Sequence, residues 1–217
     1  MITLNRGKGA FSARWYNNVM GDGVFSESSS GGIALEPGGA VALEACAIAG
    51  VLKLAFHHFD DDRGDIAEFY RADWVELFPA MKNFTFQRSI PNVLRGMRLH
   101  CRRDELVVGG IGVTKIGMLD LRPGSKTHLV ADVIEIPDGP IAGVFVPAGV
   151  LHGVYSVTST VHIEGRTTLW DPEDEHGCRW DAPGLSIPWH LPNPIVRKRD
   201  RDDAGVGALL YLMAACA

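Results

Sequence analysis

The sequence lacks the features that mark membrane-spanning, secreted and nucleic-acid-binding proteins. Its longest apolar stretch, GVGALLYLMAACA at 205–217, is too short to cross a bilayer, and the N-terminus does not have the pattern of a secretory signal. The formal net charge is −5, with 21 Lys and Arg against 26 Asp and Glu. We therefore expect neither nucleic acid nor a membrane as a partner, and any anion must be held by a local cluster of basic residues.

Cysteine is also scarce. Cys46, Cys101, Cys178 and Cys216 are scattered without a CxxC pair or the spacing of a disulfide framework. This usage favours a reduced, intracellular setting, so we expect a cytoplasmic protein in which the four thiols are bystanders.

Helical periodicity is limited to two segments. The segment RADWVELFPAMKN (71–83) has helix-like apolar spacing but meets Pro79, which predicts one short helix or turn. The segment RKRDRDDAGVGALLYLMAA (197–215) predicts a terminal helix. The residues expected to pack that helix are Leu209, Leu210 and Leu212.

Short runs rich in β-branched and aromatic residues fill most of the chain. Examples are VLKLAFHHF, ELVVGGIGVTKIGMLDL, AGVFVPAG and VYSVTSTVHI, separated by turn signals such as DDRGD, RPGS and PDGP. This pattern predicts an all-β sandwich or small barrel, closed or doubled to protect its edges. The predicted division is a Gly/Ser-rich extension at 1–45 with a strand or two, a β domain at 46–205, and a C-terminal tail or short helix at 206–217.

Charge is concentrated on one face of the predicted strand LRGMRLH. Because side chains alternate across a strand, Arg98 and His100 share one face, while Met97 and Leu99 share the other. One face is therefore apolar and the other is suited to a charged ligand.

Six motifs occur together in a recognisable order. They are DDRGDIAEFYR, TFQRSIPNVLRGMRLH, GVTKIGMLDLRPGS, VFVPAGVLHGVYSV, WDPEDEHGCRWDAPGLSIPW and RKRD. Over about residues 48–205 this order resembles the dTDP-4-dehydrorhamnose 3,5-epimerase family, which acts on dTDP-4-keto-6-deoxyhexoses. The resemblance implies a cupin-type double-stranded β-helix (jelly roll), a homodimer, a dTDP-linked sugar as ligand, and no cofactor.

The resemblance also implies a set of substrate-binding residues. Arg63 and Glu68 match the family's RG…E positions, where the arginine contacts the diphosphate, and Gln87 matches the glutamine before the central strand. Arg95 matches the LRG arginine, and His152 lies in the PxGxxHG motif. Arginines suit this task because their planar guanidinium groups bind phosphates through two hydrogen bonds.

The family's proton-transfer positions are changed in this sequence. Arg98 stands where the resemblance places the catalytic histidine, and an arginine cannot act as a base because it stays protonated. The lysine that stabilises the enolate falls on Glu105, and the tyrosine that protonates the opposite face falls on Glu164. The aspartate that partners the histidine is kept as Asp200.

Three functions are compatible with these exchanges. In the first, His100 and Glu164 are the remaining acid–base groups, Arg98 holds the enolate oxygen, and Asp200 completes the catalytic set. In the second, His100, Glu105 and His152 form a two-His-one-carboxylate site for a divalent metal ion, with Arg98 as an unfavourable neighbouring cation. In the third, the loss of the histidine and the tyrosine leaves a cupin that binds a sugar nucleotide without catalysis.

Overall fold

The computed structural model describes residues 33–34, 41–72, 74, 78–202 and 205–216. Most of the predicted N-terminal extension lies outside the described residues, at 1–32 and 35–40.

Antiparallel strands dominate the described part of the chain. They are β1 (Ile33–Ala34), β2 (Val41–Ala45), β3 (Leu52–Phe56), β4 (His58–Asp61), β5 (Gly64–Ala67), β6 (Asn83–Ser89), β7 (Val93–Leu99), β8 (Glu105–Ile111), β9 (Thr114–Asp120), β10 (Ala131–Ile136), β11 (Ala142–Val146), β12 (Val150–Ser156), β13 (Thr160–Arg166) and β14 (His176–Gly177).

Two sheets form the body of the molecule. One has the order β1-β2-β3-β11-β8-β13-β6 and the other has the order β10-β9-β12-β7-β14, while β4 and β5 form a separate hairpin. Long crossovers between strands that are distant in sequence, such as β3 beside β11 and β7 beside β12, are the connectivity of a jelly roll. The predicted all-β, cupin-type fold is confirmed.

Apolar side chains on the inner faces of the sheets fill one end of the space between them. Val107, Ile116, Val144 and Val154 are almost fully buried in this cluster. On the same strands, the inward positions nearer the other end are polar, as Glu105 is on β8. The core therefore closes one end of the jelly roll and leaves a charged cavity at the other.

The outer face of the seven-stranded sheet is covered by the segment between β5 and β6. Trp74 and Phe78 are buried there, and the Phe78 amide donates to the Trp74 carbonyl at 3.3 Å. This i to i−4 bond agrees with the turn predicted before Pro79, although residues 73 and 75–77 lie outside the described part of the segment.

Two helices follow the last strand, α1 (Lys198–Asp202) and α2 (Val206–Cys216). The segment predicted as one terminal helix (197–215) therefore forms two, and the second ends one residue beyond the predicted segment. Helix α2 covers the outer face of the five-stranded sheet. Leu209 is buried as predicted, together with Val206 and Met213. Leu210 and Leu212 are partly buried against the same apolar cluster.

Neither helix has the length and hydrophobicity needed to cross a lipid bilayer, as far as the described residues go. Residues 41–45, at the end of the predicted extension, form β2 and pair with β3 along its whole length. The division at residue 46 between an extension and the β domain stays a prediction.

Candidate active site

A cavity of about 450 Å³ opens at the polar end of the jelly roll. Its volume is within the range of roughly 300–1,000 Å³ that is usual for small-molecule sites. It is lined by residues of β6, β7, β8, β12 and β13, by His100, Arg103 and Glu175, and by residues 195–197 and Asp200. The predicted site residues found in its lining are Gln87, Arg95, Arg98, His100, Glu105, His152, Glu164 and Asp200.

Two predicted substrate-binding residues lie elsewhere. Arg63 is in the turn between β4 and β5, where its side chain is 84% exposed and pairs with Asp61. Glu68 follows β5 and lies 3.7 Å from Arg71. Neither residue lines the cavity of this chain, so their part in substrate binding stays a prediction.

A bulge in β7 allows two arginines to face the cavity at an odd spacing. Arg98 pairs with His152 and Arg95 pairs with Val154, so an advance of three residues along β7 corresponds to an advance of two residues along β12. Gly96 lies at the bulge with φ +131°, and a Cβ there would be 2.7 Å from the Cα of a glycine on β12. Glycine is required because the backbone conformation and the close strand contact both exclude a side chain.

Beyond the bulge, β7 follows the predicted alternation. Arg98 and His100 face the cavity, while Met97 and Leu99 are fully buried on the other side of the strand.

Arg103 donates hydrogen bonds to three side chains at the floor of the cavity. Its Nε donates to Glu105 Oε1 at 3.0 Å, and its Nη2 donates to Glu175 Oε1 and to His100 Nε2, both at 2.7 Å. A guanidinium group can only donate, so His100 Nε2 must accept, and Nδ1 donates to the Asp174 carbonyl at 2.6 Å. His100 is therefore neutral. Burial lowers its pKa, against the opposing effect of Glu105, and favours the same state.

His152 and Glu105 form a buried ion pair beside it. His152 Nε2 donates to Glu105 Oε2 at 2.8 Å and Nδ1 donates to the Val150 carbonyl at 3.0 Å. Burial alone would lower the pKa of His152, but the hydrogen bond and charge of Glu105 outweigh it and raise that pKa. Burial likewise opposes ionisation of Glu105, yet the hydrogen bond and positive charges around it lower its pKa. We conclude that His152 is protonated and Glu105 is ionised.

The residues proposed as metal ligands do come together. One ligand atom each from His100, Glu105 and His152 lies within 4.8 Å of the others. The lone pair of His100 accepts from Arg103, however, and both nitrogens of His152 carry donated protons. A divalent ion would have to displace the Arg103 guanidinium and a proton, so the donor set fits an ion-pair network better than a metal site.

Arg98 is paired with the aspartate that sequence reasoning identified. Its Nη2 donates to Asp200 Oδ1, and the side chains are 12% and 2% exposed. Asp200 is carried by α1, and Arg197 Nε lies 3.8 Å from its other carboxylate oxygen. The pair fixes the guanidinium of Arg98 at the cavity wall as a permanent cation.

Glu164 is the carboxylate on β13 that lines the cavity. Its Oε2 accepts from Arg166 Nη2 at 2.7 Å, and His162 Nε2 lies 3.6 Å from its Oε1. His162 is 1% exposed, and neither of its ring nitrogens has a hydrogen-bond partner among the residues described. Glu164 is thus held from one side, and no donor among the described residues lies within hydrogen-bond distance of its other oxygen.

Positive charge at the edge of the cavity is less neutralised than at its floor. Arg95 donates to Ser89 Oγ at 3.0 Å and to the Arg88 carbonyl at 2.9 Å, both uncharged acceptors. The Arg197 side chain is 70% exposed. Arg95 can therefore bind an anion without first breaking an ion pair, and Arg197 would give up only its 3.8 Å contact with Asp200.

Sequence reasoning missed four charged residues of the cavity: Arg103, Arg166, Glu175 and Arg197. Arg166 could have been found, since it is two residues beyond Glu164 on the same strand face. Arg103 and Glu175 lie in irregular segments, where no periodicity shows which way a side chain points.

The two sheets and the arginine-lined cavity define a jelly roll of the cupin type with a site suited to an anionic ligand. A sequence model of the dTDP-4-dehydrorhamnose 3,5-epimerase family matches residues 45–206, and the chain belongs to that family.

Individual relatives agree with this assignment. The spore coat polysaccharide biosynthesis protein SpsL of Bacillus subtilis (strain 168) is 30% identical over 144 residues, covering 64% of this chain and 93% of SpsL. A dTDP-4-dehydrorhamnose 3,5-epimerase of Sinorhizobium fredii is 27% identical over 157 residues, covering 67% of this chain and 79% of the relative.

Solved structures share the fold. NovW, a 4-keto-6-deoxy sugar epimerase from the novobiocin biosynthetic gene cluster of Streptomyces spheroides, superposes with a TM-score of 0.73 at 22% identity. The match covers 85% of this chain and 99% of NovW.

Proposed function

We propose that this protein is a dTDP-sugar epimerase or isomerase that transfers a proton α to the keto group of a dTDP-4-keto-6-deoxyhexose. Family membership supports the substrate class. The observation that carries the proposal is the charge distribution of the cavity, where two weakly neutralised arginines stand at the edge and a cation and a carboxylate line the interior.

Arg95 and Arg197 are the proposed diphosphate ligands. A dTDP-sugar carries two phosphate charges, and planar guanidinium groups bind them through charge-assisted hydrogen bonds. Gln87 and His152 are the proposed neighbours of the sugar, since both line the same cavity.

Glu164 is the proposed base. Its carboxylate lines the cavity, so it can accept the proton from the carbon next to the ketone. Arg98 would then hydrogen-bond the enolate oxygen, with Asp200 fixing its orientation. His100 remains a proposed acid–base residue only if Arg103 releases its Nε2, because that lone pair is engaged in the present arrangement.

The protein is proposed to act as a homodimer. Strand β6 is an edge of the seven-stranded sheet and exposes Phe84 and Phe86 at 41% and 60%. The hairpin β4–β5 exposes a second apolar pair, Phe59 and Ile66. Apolar side chains on an edge strand and a projecting hairpin are suited to burial against a second copy.

A dimer also gives a role to the residues that lie away from the cavity. Arg63 and Glu68 belong to the projecting hairpin and its end, so a contact with substrate would be made in the cavity of the second subunit. The proposed location is the cytoplasm, in keeping with four cysteines that are all free thiols.

Binding of dTDP tests the ligand class. By isothermal titration calorimetry we expect one dTDP per cavity, an affinity reduced about tenfold to a hundredfold in Arg95→Ala, and no loss in Arg179→Ala. Arg179 is the matched control because it is an exposed arginine outside the cavity lining, paired with Asp181.

The same titration discriminates the alternatives. Prior treatment with a chelator should leave dTDP binding unchanged, whereas a metal-dependent cupin would lose binding or stability. A protein that does not bind dTDP at millimolar concentration would contradict the proposed substrate class.

A further inference from the structure

Two of the four cysteines meet outside the cavity, at the end of helix α2. The Sγ atoms of Cys101 and Cys216 lie 2.7 Å apart although the residues are 115 positions apart in the chain. Both are free thiols, and the Met213 sulfur lies 3.9 Å from the Cys101 sulfur. This contact goes beyond the proposed function, which uses neither thiol.

Separate interactions hold each thiol in place. Cys101 follows β7, and its amide donates to Asp174 Oδ1 at 2.7 Å, while the Arg102 amide lies 3.3 Å from Oδ2. Cys216 is at the end of α2, whose buried side chains Leu209 and Met213 pack on the five-stranded sheet. The two sulfurs meet because two independently anchored elements bring them together.

The two thiols differ in access. Cys216 is exposed, so a small oxidant can reach it, whereas Cys101 is partly buried behind it. Burial, together with the adjacent Cys216 thiol, raises the pKa of Cys101 to about 12. Cys216 is therefore the thiol that reacts first, and Cys101 is the one that resolves the product.

A metal site at the same place is less well supported. Ligand atoms of Cys101, Asp174 and His176 lie within 4.8 Å of one another. Both carboxylate oxygens of Asp174 already accept from backbone amides, however, and this holds the turn after β7. The geometry therefore supports a pair of reactive thiols at this place better than a metal site.

We propose that Cys101 and Cys216 are a redox-sensitive dithiol that a peroxide converts into an intramolecular disulfide, fastening α2 to the turn after β7. The Cys216 sulfur attacks one peroxide oxygen, giving a sulfenic acid and water. The Cys101 sulfur then displaces the sulfenic hydroxyl, which leaves as a second water with the Cys101 proton. The two thiols lose two electrons and the peroxide gains them.

The test uses the full, reduced chain treated with hydrogen peroxide and then alkylated under denaturing conditions. We expect alkylation at two cysteines instead of four, and a single cross-linked peptide joining Cys101 to Cys216. Because the bond closes a long loop, the melting temperature should rise by about 5–10 °C and return after reduction.

Matched variants separate this pair from the other thiols. The double variant Cys46→Ser, Cys178→Ser should still form the cross-link and show the same shift, whereas Cys216→Ser should show neither. Three results would overturn the proposal. The first is a cross-link between two chains through Cys216, and the second is alkylation of all four thiols after peroxide treatment. The third is one zinc ion per chain that blocks alkylation of this pair in the untreated protein. None of these readouts depends on sugar-nucleotide turnover.

Discussion

At the scale of single residues, each acidic side chain that lines the cavity contacts a cationic one. Asp200 is paired with Arg98, Glu164 with Arg166, and Arg103 joins two further carboxylates. Removing one partner from such a pair is costly because the remaining charge stays buried. The cavity is thus a set of coupled pairs, and substitutions in it affect stability as well as chemistry.

The Arg98–Asp200 pair gives a direct test of this coupling. Arg98→Met should lower the free energy of unfolding by about 3 kcal/mol, since Asp200 would be left buried without its main partner. Adding Asp200→Asn should recover at least half of the loss, measured by urea denaturation as a double-mutant cycle. Arg197→Ala is the control and should cost less than about 1 kcal/mol, because that side chain is exposed. Additive losses in the double variant would show that the pair is not coupled.

The candidate site could be predicted from sequence where a residue lies on a regular strand. Arg98 on β7, His100 directly after it, and Glu164 on β13 face the cavity as alternation requires. Arg103 could not be assigned in this way, because it lies in the turn between β7 and β8. Arg63 matched a motif, but a motif does not show where a side chain lies, and Arg63 is not in the lining of this chain's cavity.

At the scale of elements, the bulge in β7 determines which side chains enter the cavity. Gly96→Ala should lower the free energy of unfolding by at least about 2 kcal/mol more than Gly64→Ala, measured by urea denaturation. The two glycines have nearly equal φ values, +131° and +130°, but a Cβ meets β12 only at Gly96 and open space at Gly64. The comparison therefore isolates the strand contact from the backbone strain. Equal losses in the two variants would contradict the role given to the contact.

The turn after β9 depends on one buried carboxylate. Asp120 accepts from Arg122 Nε at 2.8 Å and from the Ser125 and Thr127 hydroxyls at 2.7 Å. Burial opposes ionisation, but these hydrogen bonds lower the pKa of Asp120 from 3.8 to about 2. Its stabilising contribution is therefore complete above pH 3.8 and is lost as the pH falls towards 2.

Asp120→Asn should accordingly cost about 2 kcal/mol at pH 7, with a difference from the unchanged chain that shrinks between pH 4 and about 2. Urea denaturation across this range measures it. Asp60→Asn, at an exposed position of β4, serves as the control and should have no comparable effect. A difference between the Asp120 variant and the unchanged chain that does not vary with pH would contradict the assigned contribution.

Strands and turns could be predicted where a local sequence pattern determines them. The β-rich runs predicted the fold class, and Pro79 predicted the turn before β6. The pairing of the strands could not be predicted from local patterns, because β3 pairs with β11, which is far from it in the sequence. The resemblance to a family supplied this long-range order, which strand periodicity alone does not contain.

At the scale of the whole molecule, the proposed dimer predicts that two subunits share a site. Arg63→Ala and Arg95→Ala should each weaken dTDP binding. When the two variants are mixed and allowed to exchange subunits, about a quarter of the sites should regain full affinity, because half of the dimers then contain one intact site. Calorimetry on the mixture measures this fraction.

A control for subunit mixing uses two variants of the same cavity. Mixing Gln87→Ala with Arg95→Ala should restore no site, because each cavity then carries one substitution. If the Arg63 and Arg95 variants likewise give no recovery, Arg63 does not act across a subunit interface.

Proton transfer by this protein is tested most directly by deuterium incorporation into dTDP-4-keto-6-deoxyglucose in deuterated water, followed by nuclear magnetic resonance at C3 and C5. We expect exchange at one or both carbons with the unchanged protein, and exchange at least about a hundredfold slower with Glu164→Gln. Binding of dTDP without exchange at either carbon would contradict it and identify the protein as a non-catalytic sugar-nucleotide-binding cupin.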